Sequence, residues 1–254
     1  ISLNLDDISK KLYVKAKGKE INDNSNYEFI GADILVRAKS PVNNPIDFYL
    51  DNKFQSFDGV AKDNMIRGIV EINRMNNKDY KSTDFPLPEI PSRYKTYIES
   101  SVNNLINIPS DDELINNTAK QIISGSSNTY EVVKKIGQWV YENIKFDIKG
   151  RKAKETLLDR AGNSGSKAQL TISLLRSLGI PARIVGGLLY GDLYDSNFGQ
   201  HYWVEVWIGE ESGWIMIDPT TGEIDTFSPL HITLWRWENL IPSDDAFVDI
   251  VIVE

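Results

Sequence analysis

The 254-residue chain has no cysteine. That excludes disulfides and thiolate-bound metals, and it leaves the redox compartment open. Histidine is nearly as scarce. The two present, His201 and His231, form no H-E-x-x-H, so no histidine-rich metal centre is expected. No apolar run approaches the length of about 20 residues that spans a bilayer, so no transmembrane segment is expected. The longest runs, Ile184–Tyr190 and Phe247–Val253, are strand-sized. Positive charge is also in deficit. A formal net charge of -8 disfavours nucleic acid as a partner, because phosphate binding needs a basic surface.

What is present is an ordinary globular composition, 41% hydrophobic and 25% charged. The length allows one large domain or two smaller ones. Residues 1–85 read as a β-rich domain: strands at Leu12–Lys17 (ending in a turn at Gly18), Tyr27–Arg37, Ile46–Leu50 and Met65–Ile72, joined by Asn/Asp/Gly-rich turns. The stretch "DFPLPEIPSRY", with prolines at 86, 88 and 91, suits neither a helix interior nor a central strand and marks the boundary.

In residues 86–254 the period changes to helical. Helices are expected over Ser92–Leu105, over Ser110–Ile123 with Ser110 as cap, and over Thr129–Ile144 with Trp139 in its packed face. A fourth, Ser164–Leu178, is nearly apolar all round and so should be buried; Gly179-Ile180-Pro181 stops it. Strands follow at Ala182–Tyr190, His201–Ile208, Gly213–Ile217 and Phe247–Val253. The order predicts an α+β fold, a buried central helix packed on an antiparallel sheet.

The fourth helix opens on Gly162-Asn163-Ser164-Gly165-Ser166. A helix N-terminus offers free N–H groups and partial positive charge, which suit a cap, a phosphate or an activated nucleophile. A phosphate loop needs G-x-x-x-x-G-K-[ST]; here Lys167 is followed by Ala168 and not preceded by glycine, and no strand pattern leads into it. Nucleophilic chemistry needs a base and an orienting carboxylate. His201 opens an alternating strand, and Asp218 ends the next one after a hairpin around Glu210–Gly213. Such neighbours lie side by side across the ladder, and an Asp beside a His fixes its tautomer. Ser164 then stands as the candidate nucleophile.

The segments "IGQWVYENIKFD", "GNSGSKAQLTISLLRSLGIPARIVGG", "HYWVEVWI" and "GWIMIDPT" resemble, in order and spacing, the transglutaminase-like superfamily, relatives of the papain-type cysteine peptidases. The resemblance covers residues 131–236. It implies a papain-like transglutaminase core and a Cys-His-Asp triad. The family's cysteine, four residues before a helix alanine, maps to Ser164; its histidine maps to His201 and its aspartate to Asp218. Gly162 and Asn163 would line the approach of substrate backbone, with Gln200 and Trp203 beside the base. The Ser164 N–H and a side-chain donor would hold the oxyanion. The loop 191–199 would form a cleft rim, and His231 would be structural.

The resemblance implies a thiol-type amide or isopeptide hydrolase, or an acyltransferase, acting on a peptide or protein without cofactor or metal. Serine at position 164 departs from it. A hydroxyl is far less acidic than a thiol and its bonds are shorter, so the chain is expected to be inactive or nearly so. The intact surroundings favour an engineered Cys→Ser exchange over natural loss. Two other readings stay open: a peptide-binding module with a native serine, and a true Ser-His-Asp hydrolase. The start at Ile1 rather than Met, with family habit, leads to an expected extracytoplasmic or secreted location.

Overall fold

A computed structural model of the chain describes residues 12–20, 27–37, 50–62, 65–73, 75–81, 83–102, 106–191, 193, 197–236 and 250–252. The expected strand Ile46–Leu50 lies outside these apart from Leu50, as do loop residues 192 and 194–196. The first elements are β1 (Leu12–Glu20), β2 (Tyr27–Arg37), β3 (Gln55–Lys62), β4 (Met65–Asn73), β5 (Met75–Asn76), β6 (Ser101–Val102) and β7 (Asn107–Ile108). Then come α1 (Glu113–Ile122), α2 (Thr129–Asn143), β8 (Lys145–Phe146), α3 (Ala153–Asp159), β9 (Ala161–Gly162) and α4 (Ser164–Ser177). The last are β10 (Ala182–Gly191), β11 (Asn197–Trp207), β12 (Trp214–Ile217), β13 (Thr226–Phe227), β14 (His231–Arg236) and β15 (Ile250–Ile252).

The chain divides into two compact units: Ile1–Met75 with Gly186–His201 and Ser228–Glu254, and Asn76–Val185 with Tyr202–Phe227. The first unit is therefore not a linear segment; it also takes in two stretches from the second half of the chain. It holds a five-stranded sheet of order β15-β1-β2-β4-β3, antiparallel except where β15 runs parallel to β1. The ladder carries β1 through Gly18 to Glu20, past the expected turn, because Gly18 pairs with Ile30. β3, whose Gly and Asp weaken its strand pattern, was not anticipated. Its first residue is anchored by side-chain hydrogen bonding. The buried Gln55 amide donates to the carbonyls of Leu50 and Thr233 and accepts from the Thr233 N–H at 2.8 Å.

The second unit is built around α4. Ala168, Leu170, Ile172, Leu174 and Leu175 are all fully buried, and α1, α2 and α3 pack against the helix. Asn128 caps α2 by accepting the Glu131 N–H at 2.8 Å, and Val132, Val133, Ile136 and Val140 face the core. Trp139, expected in that face, is only half-buried; its ring instead meets the Arg160 guanidinium at 4.8 Å. Two helix expectations need correction. Asp112, not Ser110, caps α1, its carboxylate accepting the Leu114 and Ile115 N–H groups; the Ser110 hydroxyl donates to the Ile98 carbonyl. Ser92–Leu105 is no α-helix but a 3-10 turn, Ser92–Tyr97, followed by β6. Serines, asparagines and β-branched residues favour this break. The three-residue period also stacks Tyr94 and Tyr97, which both meet Trp214 edge-on, at 5.2 and 5.4 Å.

A four-stranded sheet of order β12-β11-β10-β14 follows α4 in the chain. Its buried tie in the second unit is Arg183 on β10 with Glu205 on β11, 2.6 Å apart and both at most 5% exposed. The Trp214 ring lies 3.9 Å from the Arg183 guanidinium and closes one face of it. A buried ion pair with one partner removed leaves an uncompensated charge. Glu205→Ala is therefore expected to lose about 3–5 kcal/mol in urea unfolding, and joint Arg183→Met, Glu205→Leu to regain most of it.

Candidate active site

The approach to Ser164 is built from its own chain. The loop after α2 pairs β8 with β9 in parallel, Phe146 opposite Gly162, and the Asp147 N–H donates to the Gly162 carbonyl at 3.1 Å. A two-residue strand thus does precede the helix, contrary to the sequence reading, although the phosphate-loop pattern is still lacking. Gly162 is small for a packing reason. A Cβ there would stand 2.6 Å from the Ser166 Cβ and 3.2 Å from Thr156.

Asn163 is the cap of α4. Its Oδ1 accepts the Ser166 N–H at 2.9 Å and the Ser166 hydroxyl at 3.0 Å, while the Ser166 Oγ accepts from the Arg151 N–H at 2.8 Å. Ser164 is the first helical residue, 6% exposed, and its hydroxyl makes no hydrogen bond among the described residues. Of the three roles open to it, capping is taken by its neighbour.

Asp218 is fully buried and held by its own turn. The Thr220 N–H donates to Oδ1 at 2.7 Å and the Thr221 hydroxyl to Oδ2 at 3.0 Å. Its backbone exchanges hydrogen bonds with Glu223, and Gly222 turns the chain at φ 81. The β11–β12 register pairs Val204 with Ile217, which brings Asp218 level with Trp203. Trp203 is fully buried, its ring 6.1 Å from that of Phe227.

In the other unit, His201 is fully buried and lies mid-strand, because β11 begins at Asn197 rather than at the histidine. Its ring centroid stands 6.0 Å from that of His231, with the planes at 60°. His231 is 1% exposed and its Nδ1 faces the Ser228 carbonyl at 3.3 Å. Gln200 is exposed. The proximity of His231 to His201 was not anticipated; in a chain with only two histidines, their count alone could have prompted the question.

Lys167 was missed as well. It is 2% exposed, one turn beyond Ser164, and its Nζ lies 5.8 Å from the Tyr141 ring centroid. The signal was a lysine in a helix apolar on every side. Burial pushes its pKa down to about 8, partly offset by the Asp218 carboxylate. The unfolded chain then binds more protons than the folded one between that value and about 10.4, so this group adds stability as pH rises through the window. Urea midpoints measured from pH 7 to 10 should rise for the parent relative to Lys167→Met.

Residues 116–219 match the family model of the transglutaminase-like superfamily. A protein-glutamine gamma-glutamyltransferase of Pseudomonas aeruginosa is 38% identical over 68 residues, 24% of this chain and 10% of that protein. The chain therefore aligns with only a tenth of that relative's length. Among solved structures, a candidate cysteine protease from Cytophaga hutchinsonii superposes with a TM-score of 0.56 at 19% identity, over 88% of this chain and 83% of that one. The periplasmic domain of TgpA from Pseudomonas aeruginosa gives 0.50 at 16%, over 82% and 76%. At such identities these structures speak for the fold alone, which is α+β. Residues 116–219 are a transglutaminase-like domain.

Proposed function

We propose that the chain is the serine form of a thiol-dependent amide or isopeptide hydrolase or acyltransferase, with its nucleophile position at 164, His201 as acid and base, and Asp218 as the orienting carboxylate. The observation that carries this reading is the division of labour at the start of α4. Asn163 caps the helix, so the residue at 164 is presented at the positive end of a buried helix with its side chain uncommitted. A packed backbone held small at Gly162 leads into it. Asp218, held on both oxygens by its turn, suits the orienting role.

In the cysteine form, the helix terminus and His201 would stabilise a thiolate. The thiolate attacks the amide carbonyl, and the carbon–nitrogen bond breaks as imidazolium gives its proton to the leaving amine. The resulting thioester is resolved by water, which yields a carboxylate, or by an amine, which yields a new amide. His201 takes the proton from the acceptor in either case. Likeness to a glutamyltransferase keeps the amine acceptor in view, while the resemblance to microbial hydrolases favours water. The substrate is a peptide or protein, and exposed Gln200 beside His201 would meet it. Gly162 and Asn163 shape the approach, and Trp203 walls the base. Residues 1–85 would support or extend substrate binding beside a catalytic part at 86–254.

The serine hydroxyl lacks the acidity to form the ion pair, and misplacement of about 1 Å costs on the order of 10²-fold. Ser164→Cys should be alkylated by iodoacetamide with a midpoint at least one pH unit below the usual thiol value of about 8.5, and His201→Ala should abolish that shift. Intact mass across pH 5–9 reads the result. An ordinary thiol profile would favour the binding-module reading. Labelling of the serine chain by a phosphonate would favour a true Ser-His-Asp hydrolase.

A further inference from the structure

The proposed chemistry leaves one buried cation unused. Lys167 follows Ser164 by one turn on α4, among the fully buried Ala168, Leu170, Thr171 and Ile172. Helical side chains lean toward the N-terminus, so its stem runs back over the turn that carries Ser164. Its ammonium faces the Tyr141 ring at 5.8 Å and feels the Asp218 carboxylate. Among the described residues it makes no hydrogen bond or close ion pair. Burying a cation without a close partner is unfavourable, so its burial calls for a physical reason.

Charge balance supplies one. In the triad reading above, thiolate, imidazolium and the Asp218 carboxylate would sum to one negative charge. An ammonium at Lys167 brings the sum to zero. We propose that Lys167 is a positioning residue that neutralises the buried site, stabilising the residue-164 thiolate and the Asp218 carboxylate together. This inference rests on the triad reading above and extends it to a fourth residue.

The groups that act on Lys167 are few. Asp218 reaches it from the turn after β12, and Tyr141 from α2; α1, α3, β7 and β9, which also pack on α4, bring no charge that shifts it among the described residues. Lys167 loses its proton near pH 8, so its support for the thiolate operates below that pH and fades above it.

The test uses the full chain carrying Ser164→Cys, alone and combined with Lys167→Met or Lys167→Arg. Iodoacetamide alkylation is followed from pH 5 to 9.5. Removing a cation near a thiolate raises the thiol pKa by about half to one unit, so at pH 6 the Met variant should react about 3–10-fold more slowly than its parent. By pH 9.5 the two rates should converge, because the parent's Lys167 is then neutral. The Arg variant should follow the parent at low pH. A merely structural lysine would depress the Met variant equally at every pH, and that result overturns the inference, as does identity with the parent throughout. Lys167→Gln is read in the same way if the Met variant does not fold. A parent with an ordinary thiol profile overturns the triad reading and this inference together, whereas a primed parent with a flat Lys167 response overturns this inference alone.

Discussion

The constraint on which the second unit depends is the burial of α4 from its first residue. A helix start has free N–H groups that must find acceptors, and burial removes water as the acceptor. Asn163 meets that need from outside the helix, and the Ser166 hydroxyl joins the cap to the Arg151 backbone. Any cap from position 164 itself would have tied up its side chain. The local hydrogen bonding therefore keeps one position both rigid and uncommitted, a requirement of any nucleophile that must not be solvated or mispaired.

The same logic explains the tight packing just before the helix. Gly162 belongs to a short parallel pair with β8, and its missing side chain accommodates Ser166 and Thr156. The contacts within the chain are sufficient reason for the small size of Gly162. Farther on, the Arg183–Glu205 pair and the Trp214 ring over it tie β10 to β11 and so steady the part of the strand that carries Trp203. Asp218 is held in part by its own turn, which donates one hydrogen bond to each carboxylate oxygen.

Charge inside this unit follows different rules from charge at its surface. Lys134 and Asp225 form a half-exposed ion pair whose worth is limited by solvent. Lys167 has no such relief: burial pushes its ionisation down into the physiological range, and Asp218 draws it part of the way back. A group whose proton affinity is lowered by burial and raised by the Asp218 carboxylate links the stability of the fold to the electrostatics of the candidate site.

The sequence by itself determined the elements whose pattern is strong and local: α2 and α4 by apolar spacing, β2 and β4 by β-branched alternation, and the stop at Gly179-Ile180-Pro181. It also carried the motifs by which residues 116–219 match the transglutaminase-like family model. Only the tertiary structure decided the rest. Two-residue strands such as β8 and β9 carry no period to read, and they pair with each other across the intervening α3. The choice of Asp112 over Ser110 and of Asn163 over Ser164 as caps depends on where each chain enters its helix, not on which residue type is competent. His231 beside His201, and Lys167 over the Tyr141 ring, follow from loops and crossovers that no local pattern encodes. Distance in sequence hides such contacts, because the energy that holds them comes from burial shared among many segments rather than from any one of them.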